Sequence, residues 1–257
     1  MDLKLRGKTA LVTGASRGIG RAVAEGLAAE GVNLHLVART RMDLERARME
    51  LMDRHQVRVD VHAVDMAQRG RPEALASRIG RVDILVNNAG AIPTGPLHAL
   101  DEDSWRASWD LKVYGYINLT RAVYGQMRTS GAGVIINVIG TAGERHDPGY
   151  IAGVTANAGL MAFTRAMGAA GPRHGIRVVG VNPGVTRTDR METQARTRAR
   201  MSGQDPAQWP RMFGRLPFNR PAEPSEIADT VIFLASERAS YTSGTVVTVD
   251  GGHSVAR

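Results

Sequence analysis

A glycine-rich turn near the amino terminus constrains the fold more than any other feature of the sequence. An apolar run at residues 9–13, which we interpret as a strand, leads directly into Gly14-Ala15-Ser16-Arg17-Gly18-Ile19-Gly20, and a helical stretch follows. Gly14 permits a tight turn, Gly18 lets the backbone approach a pyrophosphate, and Gly20 lets the helix pack closely on the strand. Because a helix N-terminus also presents free N–H groups, the turn predicts a dinucleotide phosphate site.

Short β-branched runs alternate with longer helical stretches along the chain, which is the pattern of repeated βαβ units. The predicted strands are residues 9–13, 33–38, 58–64, 82–87, 133–138, 177–181 and 245–249. The predicted helices are residues 18–30, 41–55, 73–78, 102–128, 149–171 and 224–235. We therefore predict an α/β fold: a single doubly wound Rossmann-type domain, residues 1–257, with a mostly parallel seven-stranded sheet. Residues 188–217 lack a clear strand and are expected to cap the substrate.

Composition narrows the cellular setting. The chain has no cysteine, which removes disulfides and thiol catalysis and fits a cytoplasmic protein. No apolar run approaches the roughly 18 residues that span a bilayer, and the charged first residues precede no apolar segment. We expect a cytoplasmic chain with no membrane association.

The net charge of +8 raises the question of nucleic acid. Only three residues are lysines (Lys4, Lys8 and Lys112), and the arginines are spread through the chain. The densest cluster, Arg196-Thr197-Arg198-Ala199-Arg200, is interpreted as a solvated helix face because no aromatic residue is interleaved with it to stack bases. We expect neither a nucleic-acid partner nor a metal site.

The spacing Gly-x-x-x-Gly-x-Gly resembles that of the short-chain dehydrogenases/reductases, and the resemblance extends along almost the whole chain. Asn87-Asn88-Ala89-Gly90 resembles the family motif that lies against the adenosine, and Asp65 occupies the place of the family's adenine-contacting Asp. Asn182-Pro183-Gly184-Val185-Thr186 and Thr188 resemble the loop that holds the nicotinamide amide. The resemblance implies a cofactor site made of Gly14, Ser16, Arg17, Gly18, Ile19, Gly20, Arg39, Asp65, Asn87, Ala89, Gly90, Pro183, Gly184, Thr186 and Thr188.

The end of the chain resembles the family's C-terminal strand, which is usually an assembly surface. The matching segments are Tyr241-Thr242-Ser243-Gly244 and Val249-Asp250-Gly251-Gly252. The resemblance implies a homotetramer or a homodimer acting on a small-molecule substrate.

The end of the second strand indicates which nicotinamide cofactor is bound. NAD-specific sites place an Asp or Glu there to bind the ribose 2′-OH, whereas this chain has Ala38-Arg39. Arg39 and Arg17 can donate charge-assisted bonds to a 2′-phosphate. We predict NADP(H), with NAD(H) less favoured; the alternative is that both are solvated arginines.

The resemblance breaks down at the catalytic positions. Family members use Asn, Ser, Tyr and Lys, and alignment of the local motifs puts Lys112 at the Asn position, Gly140 at Ser, Gly153 at Tyr and Asn157 at Lys. In this alignment the family's Asn and Lys have exchanged positions, which would leave an ammonium and an amide in the same small volume.

Three residues are the candidate catalytic groups: Lys112, Tyr150 and Asn157. Tyr150 lies one turn before Gly153, so its hydroxyl could reach the space that this glycine leaves open. Structural roles for all three residues remain open alternatives. Thr141 and the loop Glu144-Arg145-His146-Asp147 supply other hydroxyl and acid/base groups.

The first functional hypothesis is an NADP(H)-dependent oxidoreductase that moves hydride between nicotinamide and a carbonyl or alcohol, with a rearranged active site. The alternative is a catalytically inactive NADP(H)-binding sensor or partner subunit. Non-redox chemistry, such as dehydration or isomerisation, is a third hypothesis.

We expect Arg39→Ala to weaken NADPH binding more than NADH binding, because only NADPH carries the 2′-phosphate that the guanidinium would contact. Quenching of Trp105, Trp109 and Trp209 fluorescence measures both affinities. Equal losses for the two cofactors would refute the assignment.

Overall fold

The computed structural model describes residues 1–214 and 216–256 and contains seven strands. They are β1 (Thr9–Thr13), β2 (Asn33–Ala38), β3 (Val59–Ala63), β4 (Ile84–Asn87), β5 (Gly133–Val138), β6 (Ile176–Pro183) and β7 (Val246–Val249). They form one sheet in the order β3-β2-β1-β4-β5-β6-β7, and every neighbouring pair is parallel. The predicted α/β Rossmann-type domain is confirmed, and its sheet is parallel throughout the described strands.

Helices connect the strands across both faces of the sheet. They are α1 (Gly18–Ala29), α2 (Arg41–Arg54), α3 (Arg71–Ile79), α4 (Glu102–Trp109), α5 (Gly115–Ser130), α6 (Ile151–Ala170), α7 (Asp189–Met201) and α8 (Pro224–Ala235). The prediction of one uninterrupted helix over 102–128 is wrong. A π-helical turn, Asp110–Tyr114, separates α4 from α5. The apolar spacing continues across this turn, so periodicity alone does not register it.

The start of α6 also differs from the prediction of a helix over 149–171. Gly149 and Tyr150 precede the helix, because Gly149 O accepts a hydrogen bond from Gly95 N at 2.8 Å and Tyr150 pairs with Gly95 in a parallel bridge. This pairing holds the backbone out of the helical conformation. Tyr150 is consequently the N-cap residue of α6 and does not lie within the helix.

Two apolar cores lie on opposite faces of the sheet. On one face, Val23 and Leu27 of α1 pack with Ile227 and Val231 of α8. On the other face, the core is formed by residues of α3 and α5, such as Leu75, Leu119 and Val123. Neighbouring residues of a strand alternate between the two cores, as the two-residue period of a strand requires. The doubly wound arrangement follows from this burial on both faces.

The segment 188–217 contains α7 and the 3₁₀-helical stretch Pro206–Phe213; Arg215, within this segment, lies outside the described residues. The arginine cluster predicted to be a solvated helix face lies on α7. Arg196 pairs with Glu192 of the same helix, and Arg198 pairs with Asp147 at 2.6 Å. One of these arginines therefore ties α7 to the loop that precedes α6.

No helix among the described residues combines the length and the apolar character needed to cross a membrane.

Two glycines of α6 differ sharply in their surroundings. A Cβ on Gly168 would collide with the backbone of Gly244 and lie 2.8 Å from Val178 O, whereas a Cβ on Gly159 would meet nothing within 4 Å. We expect Gly168→Ala to lower the free energy of unfolding by about 1–3 kcal/mol through overpacking. Gly159→Ala is the matched control and should raise this free energy, by up to about 1 kcal/mol, through its helix propensity. Guanidinium unfolding measures both, and equal effects would contradict the packing argument.

Candidate active site

The site lies where the strand order reverses direction. β1 and β4 are neighbours in the sheet although they are not consecutive in the chain, so the loops that follow them diverge and leave a crevice at their carboxyl ends. An open cleft of about 1920 Å³ occupies this crevice. Pockets for one drug-sized ligand measure about 300–1,000 Å³, so this cleft has room for a large ligand together with a smaller one.

The glycine-rich turn adopts a conformation that side chains would prevent. Gly14 and Gly18 have φ angles of +65° and +58°, in the left-handed region that favours glycine. A Cβ on Gly14 would lie 2.9 Å from Asn88 Nδ2, and one on Gly20 would collide with Gly14 O. The turn therefore depends on glycine for both its backbone angles and its packing.

Hydrogen bonds lock this turn to the loop after β4. The backbone N–H groups of Asn88 and Ala89 donate to Thr13 Oγ1 at 2.9 and 3.0 Å, and Asn88 Nδ2 donates to Thr13 O at 3.1 Å. The two loops that border the cleft are thus held as one unit.

The N-terminus of α1 is suited to an anion. Arg17, at the N-cap, is extended with a φ of −157°, no side chain caps the helix, and its first turn carries no acidic residue. The first N–H groups of a helix without a capping side chain are available to an anion, which the helix dipole also attracts. Arg17 and Arg39 are exposed, and both line the cleft. The residues present fit a dinucleotide with an additional phosphate.

Most of the predicted cofactor residues line the cleft; Gly20, Asp65 and Asn87 do not. Gly20 packs beneath the turn. Asp65 Oδ1 instead accepts a hydrogen bond from Ala67 N at 3.0 Å. The side chain of Asn87 is buried in the interior, while the next residue, Asn88, lines the cleft.

Asn87 belongs to a chain of buried polar groups beneath the site. Its Nδ2 donates to Thr120 Oγ1 on α5 at 3.0 Å and to Asn137 Oδ1 on β5 at 2.9 Å. Asn137 Nδ2 in turn donates to Thr164 Oγ1 on α6 at 2.9 Å. These bonds fix α5 and α6 relative to the sheet, and they thereby help to position the part of α6 that lines the cleft.

Lys112 lies in the π-helical turn, and the residue is 8% exposed. Its Nζ donates to Ile139 O at 2.6 Å. Its aliphatic chain packs against Gly90, where an added Cβ would lie 2.9 Å from Lys112 Cδ. Burial, and secondarily the nearby guanidinium of Arg190, lower the pKa of Lys112 from 10.5 to about 7. At neutral pH this amine therefore exists in both charged and neutral forms.

Tyr150 occupies the space that Gly153 leaves open. A Cβ on Gly153 would collide with Cε1 and Cζ of the Tyr150 ring. The chain has five tyrosines, all among the described residues, and Tyr150 is the one that lines the cleft. The Tyr150 ring therefore lies against Gly153, the residue that local alignment places at the family's tyrosine position.

Asn157 is buried, and it also borders the cleft. Its Nδ2 donates to Gly140 O at 3.3 Å, while its Oδ1 has no hydrogen-bond partner among the described residues. Gly140 has a φ of +129°, which strains any L side chain, so no hydroxyl-bearing residue is easily accommodated there. This Oδ1 is a buried acceptor that no described residue satisfies.

The loop at 144–147 divides between two environments. Arg145, His146 and Asp147 line the cleft, as does Thr141. Glu144 instead accepts hydrogen bonds from Asn182 Nδ2 at 3.1 Å and Thr248 Oγ1 at 3.3 Å. Glu144 is therefore engaged with the end of β6 and with β7.

Sequence patterns did not indicate Arg190, the second residue of α7. Its guanidinium donates to Gly90 O, to Ile92 O at 3.2 Å and to Tyr150 Oη at 3.3 Å. Thr188 accepts a hydrogen bond from Met191 N as the N-cap of α7, and this Thr-led helix start was the available signal. The direction in which the first turn points depends on how α7 packs, which the signal does not contain.

No group of three or more His, Asp or Glu side chains within residues 1–214 and 216–256 could hold a metal ion.

Comparisons with known proteins agree with this geometry. A family model described as short chain dehydrogenase matches residues 8–199. L-xylulose reductase of Bos taurus is 33% identical over 253 residues, covering 98% of each chain. The structure of L-sorbose reductase from Gluconobacter frateurii, complexed with NADPH and L-sorbose, covers all of both chains with a TM-score of 0.90 and 33% identity. An NAD⁺-bound xylitol dehydrogenase covers 97% of this chain and 100% of its own, with a TM-score of 0.90 and 28% identity.

The buried amine of Lys112 predicts a particular dependence of stability on pH. Between about pH 7 and pH 10.5 the unfolded chain binds a proton at Lys112 that the folded chain does not, so the free energy of unfolding should rise with pH across this window. The slope reaches at most about 1.4 kcal/mol per pH unit. Lys112→Met should lose this slope. Its free energy of unfolding should exceed that of the native chain by most at about pH 7 and below.

Guanidinium unfolding between about pH 6 and pH 10 measures the slope. Lys8→Met is the matched control, because Lys8 is a partly exposed lysine paired with Glu237. If the curves for the native chain and Lys112→Met run parallel with pH, Lys112 does not carry the depressed pKa.

Proposed function

The chain belongs to the short-chain dehydrogenase family, and from its site we propose that it transfers hydride between NADP(H) and a carbonyl or alcohol substrate through a rearranged active site. Family membership makes it an NAD(P)-dependent dehydrogenase or reductase, as the sequence predicts. The observation that carries the rearranged site is the Tyr150 ring lying in the volume opened by Gly153.

The cofactor end of the cleft favours NADP(H). The uncapped start of α1 and the glycine turn would hold the pyrophosphate, and Arg17 and Arg39 would hold the 2′-phosphate. L-sorbose reductase, similar in fold and sequence, was solved with NADPH. When bound, the cofactor supplies or accepts the hydride, while the protein orients the reactants and handles the proton.

We assign the proton to Tyr150. Its hydroxyl belongs to the one tyrosine on the cleft, and a positioned general acid contributes roughly 10²–10⁴-fold to such a reaction. In reduction the phenol would donate its proton to the substrate oxygen. In oxidation the phenolate would accept the alcohol proton.

Lys112 and Asn157 complete the assignment. An amine with a pKa of about 7 can carry positive charge toward a developing alkoxide and can also exchange protons near neutral pH. Asn157 would position Gly140 at the substrate end of the cleft, because its Nδ2 donates to Gly140 O and both residues line the cleft.

The substrate class we propose is a ketose or polyol. The cleft wall includes the polar residues Thr141, His146, Thr193 and Gln194, which are available to bind several hydroxyl groups. Relatives named as reductases or dehydrogenases of xylulose, sorbose and xylitol support the same class.

We also propose that residues 188–217 cap the substrate, since Arg190, Thr193, Gln194 and Arg198 of α7 line the cleft. A cytoplasmic homotetramer or homodimer completes the proposal. The fully exposed Tyr241 and the largely exposed Phe218 support an assembly surface near the end of the chain.

Tyr150→Phe tests the proposed function. It should lower kcat for NADPH-dependent reduction of L-xylulose or L-sorbose by about 10²–10⁴-fold, because the proton donor is lost, while NADPH affinity is retained. Loss of absorbance of the reduced cofactor measures turnover. Tyr124→Phe, at a tyrosine of α5 that does not line the cleft, is the matched control and should behave as the native chain.

A native chain that binds NADPH yet reduces neither ketoses nor simple ketones would overturn the enzymatic proposal in favour of an NADP(H)-binding sensor or partner subunit. Unchanged turnover in Tyr150→Phe would instead remove Tyr150 from the mechanism.

A further inference from the structure

The guanidinium of Arg190 donates a hydrogen bond to the Tyr150 hydroxyl. We propose that Arg190 is the positioning residue that makes Tyr150 a proton donor to the substrate, an inference that rests on the proposed function. Arg190 is partly buried at the start of α7 and contacts the residues on both sides of the cleft.

Three acceptors hold Arg190 in place. Two are backbone carbonyl oxygens of the loop after β4, at Gly90 and Ile92, and the third is Tyr150 Oη at 3.3 Å. The ring of Tyr150 is fixed independently by its seat over Gly153. The phenol is therefore held at the ring by packing and at the oxygen by a cation.

The direction of the Arg190–Tyr150 hydrogen bond follows from chemistry. A guanidinium has five N–H donors and no acceptor, so Tyr150 Oη must be the acceptor in this contact. The proton of the hydroxyl is not used in the bond and remains free for a ligand in the cleft. A carboxylate or carbonyl oxygen at the same place would instead accept a hydrogen bond from the hydroxyl, and its proton would not be free for a ligand.

The same contact stabilises the product of proton transfer. In reduction, the O–H bond of Tyr150 breaks as an O–H bond forms on the substrate oxygen, and the bonding electrons remain on Oη as a phenolate. That charge forms beside a guanidinium already in position, which strengthens the hydrogen bond without reorganisation. Solvent at the open cleft returns the proton to Tyr150 after product release.

The start of α7 connects this pair to the predicted phosphate turn. A Cβ on Gly18 would lie 3.2 Å from Thr188 Cγ2, and Arg17 Nη1 is 4.0 Å from Asp189 Oδ2. Residues 188–190 therefore contact the phosphate turn and Tyr150 within one turn of helix. The segment proposed to cap the substrate thus also supplies a group to the chemistry.

Arg190→Gln and Arg190→Lys test the proposal. Arg190→Gln should lower kcat by about 10- to 100-fold with little change in KM, and should increase the solvent deuterium isotope effect, because proton transfer becomes limiting. Arg190→Lys, which keeps a donor-only cation, should recover part of the loss. Arg200→Gln is the matched control: Arg200 is an exposed arginine of the same helix that does not line the cleft.

Carbon-13 labelling at tyrosine Cζ supplies a readout besides activity. The five tyrosines give five resonances, and Tyr150→Phe identifies the one from Tyr150. Arg190→Gln should shift this resonance and Arg200→Gln should not. An unmoved resonance, or a loss of kcat that Arg190→Lys fails to rescue and that leaves the isotope effect unchanged, would overturn the positioning role.

The two proposals fail in different ways. A native chain that never oxidises NADPH, with a Tyr150 resonance that still shifts in Arg190→Gln, would overturn the oxidoreductase function while establishing the Arg190–Tyr150 bond. An active native chain whose turnover is insensitive to Arg190→Gln would leave the proposed function standing and overturn the role of Arg190.

Discussion

The contact between the turn after β1 and the loop after β4 is the constraint on which the rest of the site depends. Gly20 packs under Gly14 with no room for a Cβ, and Asn88 bonds back to Thr13. This close approach places the start of α1 at the edge of the sheet where the strand order leaves a cleft. Gly90, in the same loop after β4, leaves room for the aliphatic chain of Lys112. This loop therefore contacts both the phosphate turn and a candidate catalytic residue.

The chemical end of the cleft is organised by two cations that bond to neutral acceptors. Lys112 donates to Ile139 O, and Arg190 donates to backbone carbonyl oxygens and a phenol. Neither charge is compensated at these contacts, and burial makes the amine costly to protonate. In the proposed mechanism, this arrangement would stabilise negative charge that develops on a substrate oxygen.

Sequence patterns predicted the sheet and the phosphate turn well because both are local. Apolar runs bounded by turns identified all seven strands, and the glycine spacing identified the turn without further context. They contain less information on side chains whose direction depends on packing. Asn87 ends a strand with its side chain in the interior, and Asp65 bonds to the next turn of its own loop. A helical period likewise passed over the π-helical turn that carries Lys112.

The sequence by itself determined the α/β class, the order of elements and the glycine turn. It also placed Tyr150 three residues before Gly153, which makes the ring's later position possible. Only the tertiary structure decided that the ring fills the glycine's space and that Arg190, forty residues away, reaches its hydroxyl. The physical reason is range: local periodicity and turn chemistry are written in neighbouring residues, whereas contacts between a helix start and a distant loop arise only when both pack on the same sheet.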